Sequence, residues 1–334
     1  MSIETTEIAK GMYRFSIPIP LEYSPVNVYF LAGKVPTLID AAFGTPDAWA
    51  FLQNSLNELG YSVSDIQQIL LTHGHVDHLG LAGRIHEKSG APIIMHPKEW
   101  IGVQAFQDPS DEMDDMMKSQ FRLWGIPDKI QLMIMNFRQR LRVVSSVPAA
   151  AVRTIEDGET ILAGDDAELV ALHCPGHTPG QIVWHVPQRN LAFTGDHVLK
   201  FVSPNPDLYL PPQHGSWSGL PDYLASLGKV SKLDGAVCFP GHGEEITDLG
   251  TRIAQIRQGH AERKERIAEL FSGEALDLNG LTQRFLADIG RKPDGPTFFL
   301  GLRETLGHLY LLDEEGRLHQ ETRDGIILYS ISQM

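Results

Sequence analysis

The chain has 334 residues, 42% of them hydrophobic and 21% charged, and a formal net charge of −14. That is enough chain to bury a full core, with one large domain and a smaller one expected. No apolar run approaches the roughly 20 residues of a membrane helix, and the acidic balance opposes polyphosphate binding outside a local basic groove. Residues 1–7 are acidic and lack the basic-then-apolar pattern of a signal peptide. Two cysteines, Cys174 and Cys238, argue against a disulfide framework and suit a reducing compartment. A cytoplasmic protein without membrane attachment is the expectation.

Residues 5–43 read as a run of strands, at 11–17, 27–31 and 37–40. Residues 48–59 have helical spacing that stops at Gly60. The apolar Ile69-Leu70-Leu71 then reads as a buried strand running into Thr72-His73-Gly74-His75-Val76-Asp77-His78, a loop that opens a helix. Along an extended segment residues two apart point the same way, so His73 and His75 can share one ion. Asp77 and His78 sit where the chain turns into the helix, free to serve a second ion. Packing has no use for four ligand-type side chains in six residues.

A strand at 92–95 continues the alternation, and 97–143 breaks it with three helices. This stretch carries Met113, Met116, Met117, Phe121, Trp124, Met133, Met135 and Phe137, an adaptable apolar surface. It is expected either to cap a site or to serve as core or dimer contact. Strands return at 167–173, 181–186, 191–194 and 235–239. Three turns at strand ends add ligand-type residues. His177 lies in Pro175-Gly176-His177-Thr178-Pro179-Gly180, a rigid turn, and Asp196 in Thr194-Gly195-Asp196. His242 lies in Pro240-Gly241-His242-Gly243, where glycines let the backbone approach a ligand closely. A Pro-rich loop at 203–213, a helix at 220–231 and a charged helix from about 246 to 271 lead to a small terminal unit.

The order HxHxDH, His, Asp, His resembles the metallo-β-lactamase superfamily of dinuclear hydrolases over residues 5–250. The resemblance implies an αββα sandwich of the α/β (α+β) class, with ligands on loops along one edge of two sheets. It places His73, His75 and His177 on a first metal, Asp77, His78 and His242 on a second, and Asp196 between them. Imidazole and carboxylate suit Zn²⁺ first, with Fe or Mn as the other choices. Two divalent ions about 3.5–4 Å apart can share a hydroxide that stays ionised near neutral pH and attacks a carbonyl or phosphoryl centre. Asp77 is also a candidate for catalytic proton transfer. Asp40, at a position where the family often carries Asp, and Thr72 are expected to orient ligand histidines. His173, His197 and Cys174 are read as structural neighbours of the ligand motifs.

Residues 1–250 are expected to form the catalytic domain, with the helical insertion at about 97–145. Residues 251–334 resemble the small winged-helix domain appended to one subgroup, with a helix near 306–312 and a wing at 318–328. In that segment Lys and Arg are matched by Glu and Asp, so packing or dimerisation is expected ahead of nucleic-acid binding. Phe201, Tyr209, His214 and Trp217, in the loop after Asp196, are the expected substrate contacts. The function expected is hydrolysis of a small ester, thioester or lactone. The alternatives are a metal-dependent endoribonuclease, a glyoxalase II-like thioesterase, an iron redox protein and a non-catalytic metabolite sensor. A homodimer is the expected assembly.

Overall fold

The structure is a computed structural model that describes residues 5–20, 25–206 and 219–332. Strands β1 (Thr5–Ala9), β2 (Met12–Ile17), β3 (Val26–Leu31), β4 (Thr37–Ile39), β5 (Gln68–Leu70), β6 (Ile93–Met95) and β7 (Val152–Thr154) form a seven-stranded sheet in chain order. It is antiparallel through β4 and parallel from β4 to β7. A second sheet of five runs β12-β11-β10-β9-β8, from β8 (Thr160–Ala163), β9 (Ala167–His173), β10 (Ile182–Val186), β11 (Leu191–Gly195) and β12 (Val237–Pro240).

The two sheets bury a common core in which Tyr29, Leu31, Ile39 and Leu70 meet Leu169, Trp184, Phe193 and Phe239. On the outer face of the first sheet lie α1 (Pro46–Glu58) and α3 (Ala82–Ser89), which pack Trp49, Leu52 and Ile85 against Phe15, Val28 and Phe30. On the outer face of the second lie α7 (Leu220–Val230) and α8 (Leu249–Glu269), with Tyr223, Leu227 and Ile256 against Val183, Ala192 and Cys238. The layering is helix, sheet, sheet, helix, as expected for the sandwich. β3 is buried along its whole length because both its faces are covered, and its one polar side chain apart from Tyr29, Asn27, donates its amide to the Pro240 and Gly243 carbonyls.

The insertion folds as the three expected helices, α4 (Pro97–Gln107), α5 (Asp111–Leu123) and α6 (Asp128–Val143). Of the two roles expected for it, core packing is what α5 and α6 do. Met117, Phe121, Trp124 and Ile134 share one hydrophobic core with Phe271, Leu281, Phe285, Phe298 and Leu302. Those partners come from the turn just after α8 and from α9 (Leu278–Asp288) and α10 (Gly295–Glu314), which precede a hairpin of β13 (Leu318–Arg323) and β14 (Ile326–Ile331). Full burial of a Phe or Leu side chain is worth roughly 1.5–3 kcal/mol, so this core ties insertion and C-terminal segment into one body. The basic residues here are matched by acids: Arg263 with Glu304, Lys264 with Glu315, Arg266 with Asp288 and Arg317 with Glu265.

Candidate metal centre

Every ligand-type residue singled out in the sequence lies on a loop or short helix that follows a strand's C-terminal end, and all of them converge on one edge of the sandwich. His73 and His75 follow β5, His177 follows β9, Asp196 follows β11 and His242 follows β12. Asp77 and His78 lie in the short helix α2 (Val76–Leu79). Three sets of donors come together: His73 with His75 and His177; His73 with His78 and Asp196; and Asp77 with His78 and His242. Within each set the donor atoms lie within 4.8 Å of one another, and the sets overlap through His73 and His78. His75 Nδ1 is 3.1 Å from His73 Nε2 and 2.9 Å from His177 Nε2. Asp196 sits centrally, with Oδ1 3.5 Å from His78 Nε2 and Oδ2 3.8 Å from His177 Nε2 and 3.7 Å from His242 Nε2. Asp77 Oδ2 is 3.3 Å from His242 Nε2.

Hydrogen bonds behind the rings select which nitrogen faces the centre. His177 Nδ1 bonds the Asn205 carbonyl at 2.9 Å and His242 Nδ1 bonds the Pro25 carbonyl at 3.0 Å. A carbonyl only accepts, so each Nδ1 carries the proton and each Nε2 presents its lone pair inward. His78 Nδ1 is 2.8 Å from Asp40 Oδ2. The Thr72 hydroxyl donates to the same carboxylate at 2.8 Å, which leaves its oxygen to accept from His73 Nδ1 at 3.0 Å. Asp40 and Thr72 thus lie behind the rings of His78 and His73 and hydrogen-bond their Nδ1 atoms. Asp40 holds a left-handed backbone, φ +62°, a conformation Asp tolerates better than most residues.

The close approach of the loops depends on Gly241, where a Cβ would come within 2.6 Å of His78 Cε1 and closer still to Asp196 Oδ1. Tyr29 donates its hydroxyl to the Pro240 carbonyl at 2.6 Å and so ties that loop to the first sheet.

One residue of the site escaped sequence reasoning. Glu99, buried in the first turn of α4, accepts from the Gly74 N–H at 2.6 Å, the Thr178 hydroxyl at 2.7 Å and the Gly180 N–H at 2.9 Å. It clamps the His73–His75 loop to the His177 loop, and burial raises its pKa. The available cue was Glu99 in the first turn after His96-Pro97, which reads as an ordinary helix start.

The donor set fits divalent cations. Among the described residues, His78 Nε2 and Asp196 Oδ1 are buried without a hydrogen-bond partner, 3.5 Å apart and both facing the centre. Burial pushes His78 down, but Asp196, Asp40 and Asp77 outweigh it and hold its pKa at about 10. Burial likewise opposes Asp196 and Asp77 at His242, which is pushed up to about 9. Three carboxylates here therefore call for positive charge, which cations can supply in place of protons. His73 is held well below the usual range by burial and by the neighbouring rings, the state a neutral ligand needs.

The remaining residues fall outside the centre. His173 donates to the Pro179 carbonyl and stacks on His96, ring centroids 3.8 Å apart. His197 packs against Tyr223, and Cys174 is fully buried with its thiol pushed up to about 12, chiefly by that burial. Phe201 is 75% exposed, under the Lys200 ammonium. Tyr209, His214 and Trp217 lie outside the described residues. A further His260, Glu304 and His308 cluster lies between α8 and α10. Within it His260 Nδ1 meets His308 Nε2, His308 Nδ1 donates to the Glu304 carbonyl and Glu304 pairs with Arg263, while among the described residues His260 Nε2 is buried without a hydrogen-bond partner.

Residues 22–242 match the family profile described as "Metallo-beta-lactamase superfamily". A relative in Bacillus subtilis (strain 168), "Probable metallo-hydrolase YqjP", is 30% identical over 90% of this chain and 91% of its own length. The Aspergillus fumigatus "Atrochrysone carboxyl ACP thioesterase" is 26% identical over 73% of this chain and 43% of its own length. The solved metallo-beta-lactamase family protein TTHA1429 from Thermus thermophilus superposes with a TM-score of 0.84, at 28% identity, over 98% of this chain and 100% of its own.

Proposed function

The chain belongs to the metallo-β-lactamase superfamily and is a metal-dependent hydrolase, and from that premise we propose that it uses two divalent ions to hydrolyse a small ester, thioester or lactone. The observation that carries the reading is the overlap of three donor sets around a buried, otherwise unpartnered Asp196 oxygen. His73, His75 and His177 would hold one ion and Asp77, His78 and His242 the other, with Asp196 within reach of both sets. Zinc is the ion proposed, since imidazole and carboxylate suit it. Bound there, the ions supply Lewis-acid polarisation of the scissile carbonyl and water ionised near neutral pH.

The chain's own residues do the positioning. Asp40 and Thr72 fix His78 and His73, the Asn205 and Pro25 carbonyls fix His177 and His242, and Glu99 sets the distance between two ligand loops. Burial would raise the Asp77 pKa, but His78 and His242 outweigh it and hold the carboxylate well below the usual range. That suits an anionic ligand better than a base, so ligation is its principal role and proton transfer a secondary one. Phe201, exposed on the loop after Asp196, is the proposed apolar contact for substrate.

Thioesters come first among the three substrate classes, supported by the thioesterase name of the fungal relative. The order α8-α9-α10-β13-β14 supports a winged-helix-like unit, and its neutralised basic residues favour packing over nucleic-acid binding. A homodimer through Leu132 and Val143, both exposed on α6, belongs to the same reading, as does a cytoplasmic location. The test is turnover of acyl thioesters, lactones, aryl esters, phosphodiesters and a short RNA by the metal-loaded protein, with Asp196→Ala as control. Thioester, ester or lactone hydrolysis that vanishes in the variant is expected. RNA cleavage lost in the same variant would put the nuclease in its place.

A further inference from the structure

Among the described residues, the C-terminal helices meet the metal centre at the Asn205 carbonyl. Asn205 lies on the segment that leaves β11 after Asp196, and its carbonyl oxygen accepts from His177 Nδ1 at 2.9 Å. The same oxygen accepts from Arg303 Nη2, on α10, at 3.1 Å. A carbonyl oxygen has two lone pairs, so these two donors use its full capacity. Arg303 Nε also donates to the Pro206 carbonyl at 2.8 Å. The Asn205 side-chain amide donates back to the Leu300 carbonyl of α10 at 2.8 Å.

The contact is built along one stripe of the helix. Leu300, Arg303 and Gly307 are spaced three and four apart and so share a face. Gly307 has no Cβ where one would meet Leu220 Cβ at 3.1 Å and Pro206 Cγ at 3.3 Å, so α10 approaches the segment closely. The guanidinium also lies over Phe299, 5.8 Å from the ring centroid. Two adjacent carbonyls, turned toward one planar cation, are thereby held in a fixed orientation, and one of them sets the tautomer and tilt of His177.

We propose that Arg303 is a positioning residue for His177, acting through the Asn205 carbonyl, so that metal binding at the His73, His75 and His177 donors depends on the C-terminal helices. The inference rests on the reading of His177 as a metal ligand. Removing the Arg303 side chain lets the Asn205 carbonyl turn, and with it the ring that must present Nε2. Partners behind metal-ligating histidines are typically worth about 10–100-fold in metal affinity. The lower end of that range is expected here, because Arg303 acts one bond further out. A lysine in its place could not make both contacts, since an ammonium is a compact point donor and not a planar fork.

The experiment is titration of the full-length, metal-stripped protein with Co²⁺, read by its visible absorption, with melting temperature recorded for each variant. Arg303→Ala should weaken the first equivalent by about 10-fold and alter its band shape, with Arg303→Lys intermediate. Arg263→Ala is the control, because it breaks the Arg263–Glu304 pair between α8 and α10 without touching the 205–206 segment. It should lower the melting temperature and leave Co²⁺ affinity alone. Unchanged affinity in Arg303→Ala, or an equal loss in Arg263→Ala, would overturn the proposal. His177→Ala separates the two claims: if it binds Co²⁺ like the parent, the ligand assignment itself fails. If it loses the first equivalent while Arg303→Ala does not, only the positioning role fails.

Discussion

Asp40 and His78 are joined by a 2.8 Å contact between Oδ2 and Nδ1, both side chains buried. The same carboxylate takes the Thr72 N–H at 2.8 Å and the Thr72 hydroxyl, and through that hydroxyl it also governs His73. One anion therefore sets the tautomer of two rings assigned to different ions. Asp40→Ala should lower metal affinity by about 10–100-fold. Asp40→Asn, which keeps an acceptor but can present an amide N–H to His78, should fall between. Isothermal titration of metal into the stripped variants checks the order.

Glu99 tests the clamp between two ligand loops. Glu99→Ala leaves the Gly74 and Gly180 N–H groups and the Thr178 hydroxyl without their acceptor. Each unsatisfied buried group costs about 1–3 kcal/mol, and water entering the space left by the side chain offsets part of the sum over the three, so a loss of roughly 2–4 kcal/mol is expected in urea unfolding of the metal-free protein. Glu99→Gln keeps the length and one acceptor oxygen and should lose less. Equal stability of both variants with the parent would contradict the clamp.

The turn at Gly241 has no room for a side chain, because a Cβ would press on His78 and Asp196. Gly241→Ala should fold, since the strain is local to one loop, yet bind metal more weakly than the parent. Far-UV circular dichroism combined with elemental analysis separates those outcomes.

Acid should destabilise the C-terminal helices in a defined window. His260 and His308 are buried, and that burial lowers them to about 4 and about 3 against an ordinary 6.5. The unfolded chain therefore binds more protons than the folded one below pH 6.5. Their contribution is fully present above that pH and is lost as pH falls toward the folded values. The slope is at most about 1.4 kcal/mol per pH unit for each group. The urea midpoint of metal-free protein should drop between pH 6.5 and 5, and His308→Gln should flatten the drop. A parent midpoint that holds steady over that range would count against the buried neutral pair.

The motifs that converge on the centre are legible because each follows a strand with an apolar run and contains a glycine, joined by proline at 175–180 and 240–243. The sandwich was legible for the same reason, though β7 and β8 were not: they are short and half exposed. Glu99 was hidden because one acid in the first turn of a helix is ordinary on its own. The Arg303 contact spans 98 residues to Asn205, and no local pattern carries such a pairing. The Met and aromatic residues of 113–137 showed an apolar surface, but only the fold shows that much of it turns toward α9 and α10.

Anomalous diffraction at the zinc edge from crystals of the metal-loaded protein tests the central claim most directly. Two peaks are expected, one about 2.0–2.2 Å from His73, His75 and His177 and the other at that distance from Asp77, His78 and His242, with Asp196 reaching both. A single peak, or a pair held by other residues, would contradict the dinuclear assignment.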